Sequence, residues 1–169
     1  MSSATQSPDL DTRELAAWRG MLRVHRELVA RLDAELERER GLPLSSYEVL
    51  IYLAEAPGGR LRMGELAATL LLSRSGLTRL VDRLERESLV QRERCEDDAR
   101  GFFALITDAG RRKLRAARPV HLAGVRRHFL SDLESEDLEA LARAWAKVLP
   151  DSPTLAPAKP ARKPKNEGT

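Results

Sequence analysis

Residues 73–110 read SRSGLTRLVDRLERESLVQRERCEDDARGFFALITDAG, and a change of period inside this stretch decides the fold. Leu77, Leu80, Val81 and Leu84 recur at i, i+3, i+4 and i+7, the spacing of one buried helical face. Ser73 stands just ahead of them, where its hydroxyl can accept a free N–H of the first turn. The opposite face carries Ser75, Thr78, Arg79, Asp82, Arg83 and Arg86. Hydroxyls and guanidinium groups at one-turn intervals suit a helix that enters a major groove. Arg pairs bidentately with guanine, and Ser or Thr reaches bases and phosphates. From Leu89 the period shortens. Leu89 to Cys95 and Gly101 to Ile106 read as two strands, joined by the polar turn Glu96-Asp97-Asp98-Ala99-Arg100.

A helix followed by a two-stranded ribbon is the layout of a winged helix-turn-helix. Within it, Asp98-x-Arg100-Gly101 and then Leu105-Ile106-Thr107-x-x-Gly110 resemble the signature of the MarR family of transcriptional regulators. The resemblance implies a mostly α (α+β) fold, a winged helix-turn-helix with a helical dimerisation part built from the N- and C-terminal helices. It further implies a homodimer that binds double-stranded DNA sequence-specifically on a pseudo-palindromic operator, most often as a repressor. By resemblance, Arg100 enters the minor groove, where a narrow A·T-rich groove attracts guanidinium, and Asp98 braces the wing turn. Arg94 is a second wing contact. In the recognition helix the DNA-contact set is Arg74, Ser75, Thr78, Arg79 and Arg83. Arg86, farther along, reaches a phosphate or pairs with Asp82.

Outward from this centre, residues 1–10 are Ser/Thr-rich and are expected to be disordered. Residues 11–41 form an N-terminal dimerisation helix, capped by Asp11 or Thr12 and stopped by Gly41. Leu15, Trp18, Leu22, His25, Val29, Leu32 and Leu36 alternate steps of three and four, a coiled-coil seam. Ala17, Met21, Val24 and Leu28 widen the stripe, so this helix needs more than one packing partner. The DNA-binding domain spans 42–107. In it Ser45 and Glu48 have the spacing of a capping box for a helix to about Ala54, and Arg60-Leu61-Arg62 suits a third strand. Met63 to Leu71 is the first helix of the helix-turn-helix. Residues 108–149 are C-terminal dimerisation helices, the first capped by Thr107 and expected to break between Arg115 and Pro119. Ser135 is expected to cap the last, whose face is Leu138, Leu141, Ala142, Trp145, Val148 and Leu149. The Pro-, Ala- and Lys-rich tail, 150–169, cannot bury a core and is expected to be disordered.

Composition excludes several classes. The 169 residues are 33% charged with no apolar run long enough for a bilayer, and no secretory signal opens the chain. A cytoplasmic protein without membrane contact is expected. The net charge of +3 does not by itself point to nucleic acid; the placement of the arginines does. The lone Cys95 excludes an internal disulfide and, flanked by Arg94 and Glu96, reads as a bystander thiol. His25, His121 and His128 have no metal-clamping spacing, so neither metal nor cofactor is expected. His25 in the seam reads as an interface residue. No nucleophile elbow, phosphate loop or H-E-x-x-H occurs, which argues against an enzyme. By the same family resemblance, the cleft between the dimerisation helices and the winged domain would take a small aromatic or anionic effector, drawing on Trp18, Leu22, Tyr47, Ile51 and Arg111 or Arg115. The same six are equally explained as interdomain core. A non-specific architectural DNA binder and a helical protein-interaction adaptor are the rival classes.

Overall fold

In the computed structural model the first helix starts at Asp11, whose carboxylate accepts the N–H groups of Arg13 and Glu14 at 2.7 and 2.9 Å. Glu14 Oε2 accepts the Asp11 N–H in return at 2.7 Å, completing a capping box. The structure describes residues 9–95 and 98–149, and of Asp98, Ala99 and Arg100 only the backbone. The helix, α1 (Thr12–Arg40), stops where Gly41 takes the left-handed conformation at φ +55°. Only Leu32 and Leu36 of its seam are buried, whereas Trp18, Leu22, Val24 and Val29 stay exposed.

The second helix, α2 (Leu44–Glu55), departs from the expected capping box. Pro43 is its N-cap, and the Leu44 N–H donates instead to Asp33 Oδ1 of α1 at 2.8 Å. Packing on α1 has thus replaced the local cap by a long-range one. A turn at Pro57–Gly59 leads into β1 (Arg60–Arg62), then α3 (Met63–Thr69) and α4 (Arg74–Arg86). The hairpin is β2 (Val90–Cys95) and β3 (Asp98–Ile106), and β1 adds antiparallel to β3, giving the order β1-β3-β2. The second hairpin strand therefore begins three residues earlier than the sequence period suggested. Asp98, Ala99 and Arg100 extend the ladder, with a register shift at Arg94/Cys95.

Leu36, Leu42, Val49, Leu50 and Leu53 meet Leu66, Leu77, Val81, Leu84, Val90 and Ala104 in one core. This core holds α4 by the face that its leucine spacing defined. Thr107 then closes the wing. Its hydroxyl accepts the Gly110 N–H at 3.0 Å as the N-cap of α5 (Asp108–Val125) and lies 2.8 Å from the Ser88 carbonyl, to which it donates. A side chain at Gly110 would place its Cβ 2.2 Å from the Leu89 carbonyl oxygen, so only glycine lets α5 start this close to the hairpin.

The expected break before Pro119 is absent, and α5 runs through it. Arg115 and Pro119 are both exposed, so the carbonyl deprived of its partner can face solvent. The irregularity comes later, at Arg126–Leu130, which widen into a π turn. There Arg127 Nη1 and His128 Nε2 lie 2.7 and 2.8 Å from Glu35 Oε1 of α1. The chain divides into two units, one ending at Ser131 and one starting at Asp132. In the second, α6 (Ser135–Val148) is capped by Glu134 rather than Ser135, the Glu134 N–H donating to Asp137 Oδ2 at 3.0 Å. None of its residues is buried, and Leu138 and Val148 are among its exposed apolar groups.

Candidate nucleic-acid interface

Ser73 caps α4 by accepting the Gly76 N–H at 3.1 Å. Leu77, Val81 and Leu84 anchor the helix, which leaves Arg74, Ser75, Thr78 and Arg79 exposed together on its N-terminal half. Local bonds hold two of them close to the helix. The Thr78 hydroxyl donates to the Arg74 carbonyl at 2.8 Å and Arg79 Nε to the Ser75 carbonyl at 3.4 Å. Four of the five recognition-helix residues expected from the sequence thus share one accessible surface.

Arg83 is the fifth, and it turns elsewhere. Its Nη2 donates to the buried Ser46 hydroxyl of α2 at 2.6 Å, and its Nε is buried without a partner. The helical period puts Arg83 on the polar side, but at this point the polar side meets α2. Arg86, with its Nε 3.4 Å from the Asp82 carbonyl, remains exposed, and Asp82 pairs with another arginine.

That arginine is Arg92 of β2, a residue that sequence reasoning did not single out. Its Nη1 donates to Asp82 Oδ1 at 2.6 Å and to Glu85 Oε2 at 2.5 Å, and its Nη2 to the Thr78 carbonyl at 3.1 Å. The Arg92 N–H donates to Glu85 Oε1 at 2.8 Å. One strand residue therefore grips three successive turns of α4 and fixes the angle of the hairpin to the helix. The signal was present as two acids one turn apart, Asp82 and Glu85, on an otherwise basic helix.

Between α4 and the hairpin lies a cavity of about 790 Å³. Arg62, Arg74 and Glu65 give it charge of both signs beside Arg92, which is already paired with Asp82 and Glu85, and Met63, Leu77 and Phe102 form its apolar wall. Arg60 and Arg62 sit over the Phe103 ring, 4.7 and 5.3 Å from its centroid, which ties β1 to β3 at the level of this cavity. Cys95 is buried beside it. Arg94 is exposed on β2, opposite Phe102. The roles expected of the Arg100 and Asp98 side chains lie outside the described residues.

The six residues considered for an effector cleft are dispersed among different environments. Tyr47 is buried in the core with its ring centroid 4.6 Å from that of His121, and burial raises its phenol above the usual value. Ile51 packs at the core's edge, Arg111 lies against Gly59, and Arg115 is exposed. Trp18 and Leu22 are exposed on α1. None of the six lines the cavity beside α4. His25 is exposed on α1, and no cluster of three metal-ligating side chains occurs among the described residues. No helix among these residues is long and apolar enough to cross a membrane.

Comparison with known proteins places this geometry. The family model described as MarR family matches residues 40–101, from the end of α1 into β3. The uncharacterized HTH-type transcriptional regulator YkoM of Bacillus subtilis (strain 168) is 30% identical over 108 residues, 63% of this chain and 69% of that protein. Among solved structures, AbsC, a MarR family transcriptional regulator from Streptomyces coelicolor, is 40% identical with a TM-score of 0.77. The match covers 85% of this chain and 97% of that one. Sco3205, a MarR family transcriptional regulator of the same organism solved in complex with DNA, is 37% identical with a TM-score of 0.78, covering 85% and 90%. With a shared winged core, an exposed arginine-bearing helix α4 and solved relatives matched over nearly their whole length, the chain belongs to the MarR family of transcriptional regulators.

Proposed function

We propose that this protein binds double-stranded DNA sequence-specifically as a homodimer and regulates transcription, as a repressor, from a pseudo-palindromic operator. The observation that carries the reading is the exposed cluster Arg74, Ser75, Thr78 and Arg79 on α4, held at a fixed angle to the wing by Arg92. A recognition helix presents its N-terminal residues to base edges while the wing follows the backbone. In this reading Arg74 and Arg79 address bases, and Arg94 and Arg100 extend the contact along the duplex. Sco3205, a relative solved in complex with DNA, supports double-stranded DNA as the partner.

Dimerisation is supported within each unit. The seam of α1 leaves Trp18 52% exposed, with Leu22 and Val29 alongside, and α6 buries no residue although its spacing is amphipathic. Apolar stripes of this length call for a second copy. A two-fold dimer sets its recognition helices about one turn of duplex apart, hence a pseudo-palindrome.

Selection from random duplexes tests the reading directly. The expected product is an inverted repeat with half-sites about one helical turn apart. A salt-dependent shift without sequence enrichment would identify an architectural binder instead, and no shift at low salt an adaptor.

Release by a small organic anion is a second reading, favoured by the cavity between α4 and the hairpin. A carboxylate there would pair with Arg74 and cover Thr78, both of which line the cavity. Titrating benzoate-type acids against the operator complex tests it; unchanged affinity throughout removes it.

A further inference from the structure

The connector from α3 to α4 is Leu70-Leu71-Leu72, and its three leucines have different fates. Leu70 packs against the core, Leu72 is 39% exposed, and Leu71 is 92% exposed. The Leu72 N–H donates to the Ala67 carbonyl at 2.9 Å and the Leu71 N–H to the Ala68 carbonyl at 3.2 Å, the paired bonds of a Schellman ending. That ending requires a left-handed residue, and Leu71 supplies it at φ +53°. Among the described residues five have positive φ: three are glycine, one is Ser88, and Leu71 alone is large and apolar. Ser88 makes a second Schellman ending after α4, and its carbonyl accepts the Thr107 hydroxyl, so it serves the fold. The Leu71 side chain does not: glycine would give the same turn without Cβ strain, and so exposed an isobutyl group contributes nothing to the core.

A strained, solvent-facing leucine calls for something outside the monomer that its side chain meets. Its position says what. Leu71 stands two residues ahead of the cap Ser73 and immediately upstream of the exposed Arg74, Ser75, Thr78 and Arg79. A helix entering the major groove by its N-terminal half brings this connector to the groove's rim. The apolar group that duplex DNA offers in that groove is the C5-methyl of thymine. We propose that Leu71 is a specificity-determining residue that packs on a thymine methyl at the edge of each half-site. This rests on the DNA-binding reading above.

Once an operator has been selected, each thymine is replaced in turn by uracil, which removes the methyl and keeps the pairing. Binding is measured for wild type and for Leu71→Gly. Wild type should lose about fourfold at one thymine per half-site, the equivalent of one buried methyl. Leu71→Gly, which removes the contact from both half-sites, should bind the thymine operator about 16-fold more weakly and be indifferent to that swap. Its melting temperature should equal or exceed that of wild type, since a left-handed glycine is unstrained. Three results overturn the proposal: wild-type affinity in Leu71→Gly, no uracil penalty at any position in wild type, or the same penalty in both proteins. A wild type that enriches no sequence would instead bring down the DNA-binding reading, and the role of Leu71 with it.

Discussion

Replacing Arg92 by methionine keeps an unbranched side chain in place and removes only its guanidinium. Asp82 and Glu85 then lose their shared Nη1 donor, and the Thr78 carbonyl loses Nη2. A hydrogen bond to a charged group contributes about 1.5–3 kcal/mol, an exposed ion pair about 0–1 kcal/mol. The Arg92 side chain is 22% exposed, but Asp82 is 47% and Glu85 31% exposed, so solvent screens both carboxylates. The two bonds also share one nitrogen and do not add. The lower half of the range therefore applies, and the loss should be about 2 kcal/mol. At about 2–4 °C per kcal/mol for a protein of this size, Tm should fall by roughly 4–8 °C. Arg94→Met is the control, because it removes the same charge from an exposed position on the same strand. The gap between the two variants should narrow as salt is raised. Affinity for a selected operator should fall with Arg92→Met, since the hairpin is no longer held at a fixed angle to α4. Equal Tm values for the two variants would refute the claim that this arginine braces the wing.

Arg79→Ala should cost about 1–3 kcal/mol on the selected site if it pairs bidentately with guanine, and competition against random duplex would expose a uniform loss typical of a phosphate contact. Arg83→Ala should act on stability instead, lowering it by about 1–2 kcal/mol through the unpaired Ser46 hydroxyl, as a lower Tm would show, while the salt dependence of DNA binding stays at its wild-type slope. Trp145→Glu or Trp18→Glu should yield monomers in sedimentation, because both lie on incompletely buried faces; Leu32→Glu should unfold the chain instead, its side chain being part of the core. Acid should destabilise the fold in two steps. Burial holds the His121 imidazole below its ordinary value of 6.5, so the unfolded chain takes up this proton first and stability declines as pH drops below about 6.5. The hydrogen bond from His128 and, after it, the charge of Arg127 hold the Glu35 carboxyl below its ordinary 4.5, and that stabilisation is lost only as pH falls further, towards the depressed value. Melting curves of His121→Phe should lack the first step and keep the second.

Leucine spacing in residues 77–84 and the switch of period at Leu89 were enough to place a helix and a hairpin in the right order. Both are local patterns, repeated at the period of the structure they form. Thr107 and Gly110 were legible for the same reason, a cap and its neighbour three residues on. Asp11 and Gly41 bounded the first helix correctly. Readings failed where a distant residue took over a local task. Ser45-x-x-Glu48 has the spacing of a cap, yet Asp33 of α1 supplies the acceptor. Pro119 has the chemistry of a break, yet on an exposed face of α5 the helix passes through it.

The site divides along the same line. Which residues of α4 are polar is a property of the chain; which polar residues remain accessible depends on what packs beside the helix. Arg79 and Arg83 lie one turn apart and look alike in sequence, but α2 lies beside only the second, and Ser46 claims it. Arg92 looked like one more charge in a strand until α4 brought Asp82 and Glu85 against it. The strain at Leu71 was equally invisible, because it comes from how α3 ends and not from the composition of three leucines. Periodicity, caps and the signature residues thus determined a winged helix-turn-helix with a basic second helix. Tertiary packing alone decided which guanidinium groups face outward and which one locks the wing, because those fates depend on partners 7 to 37 positions away.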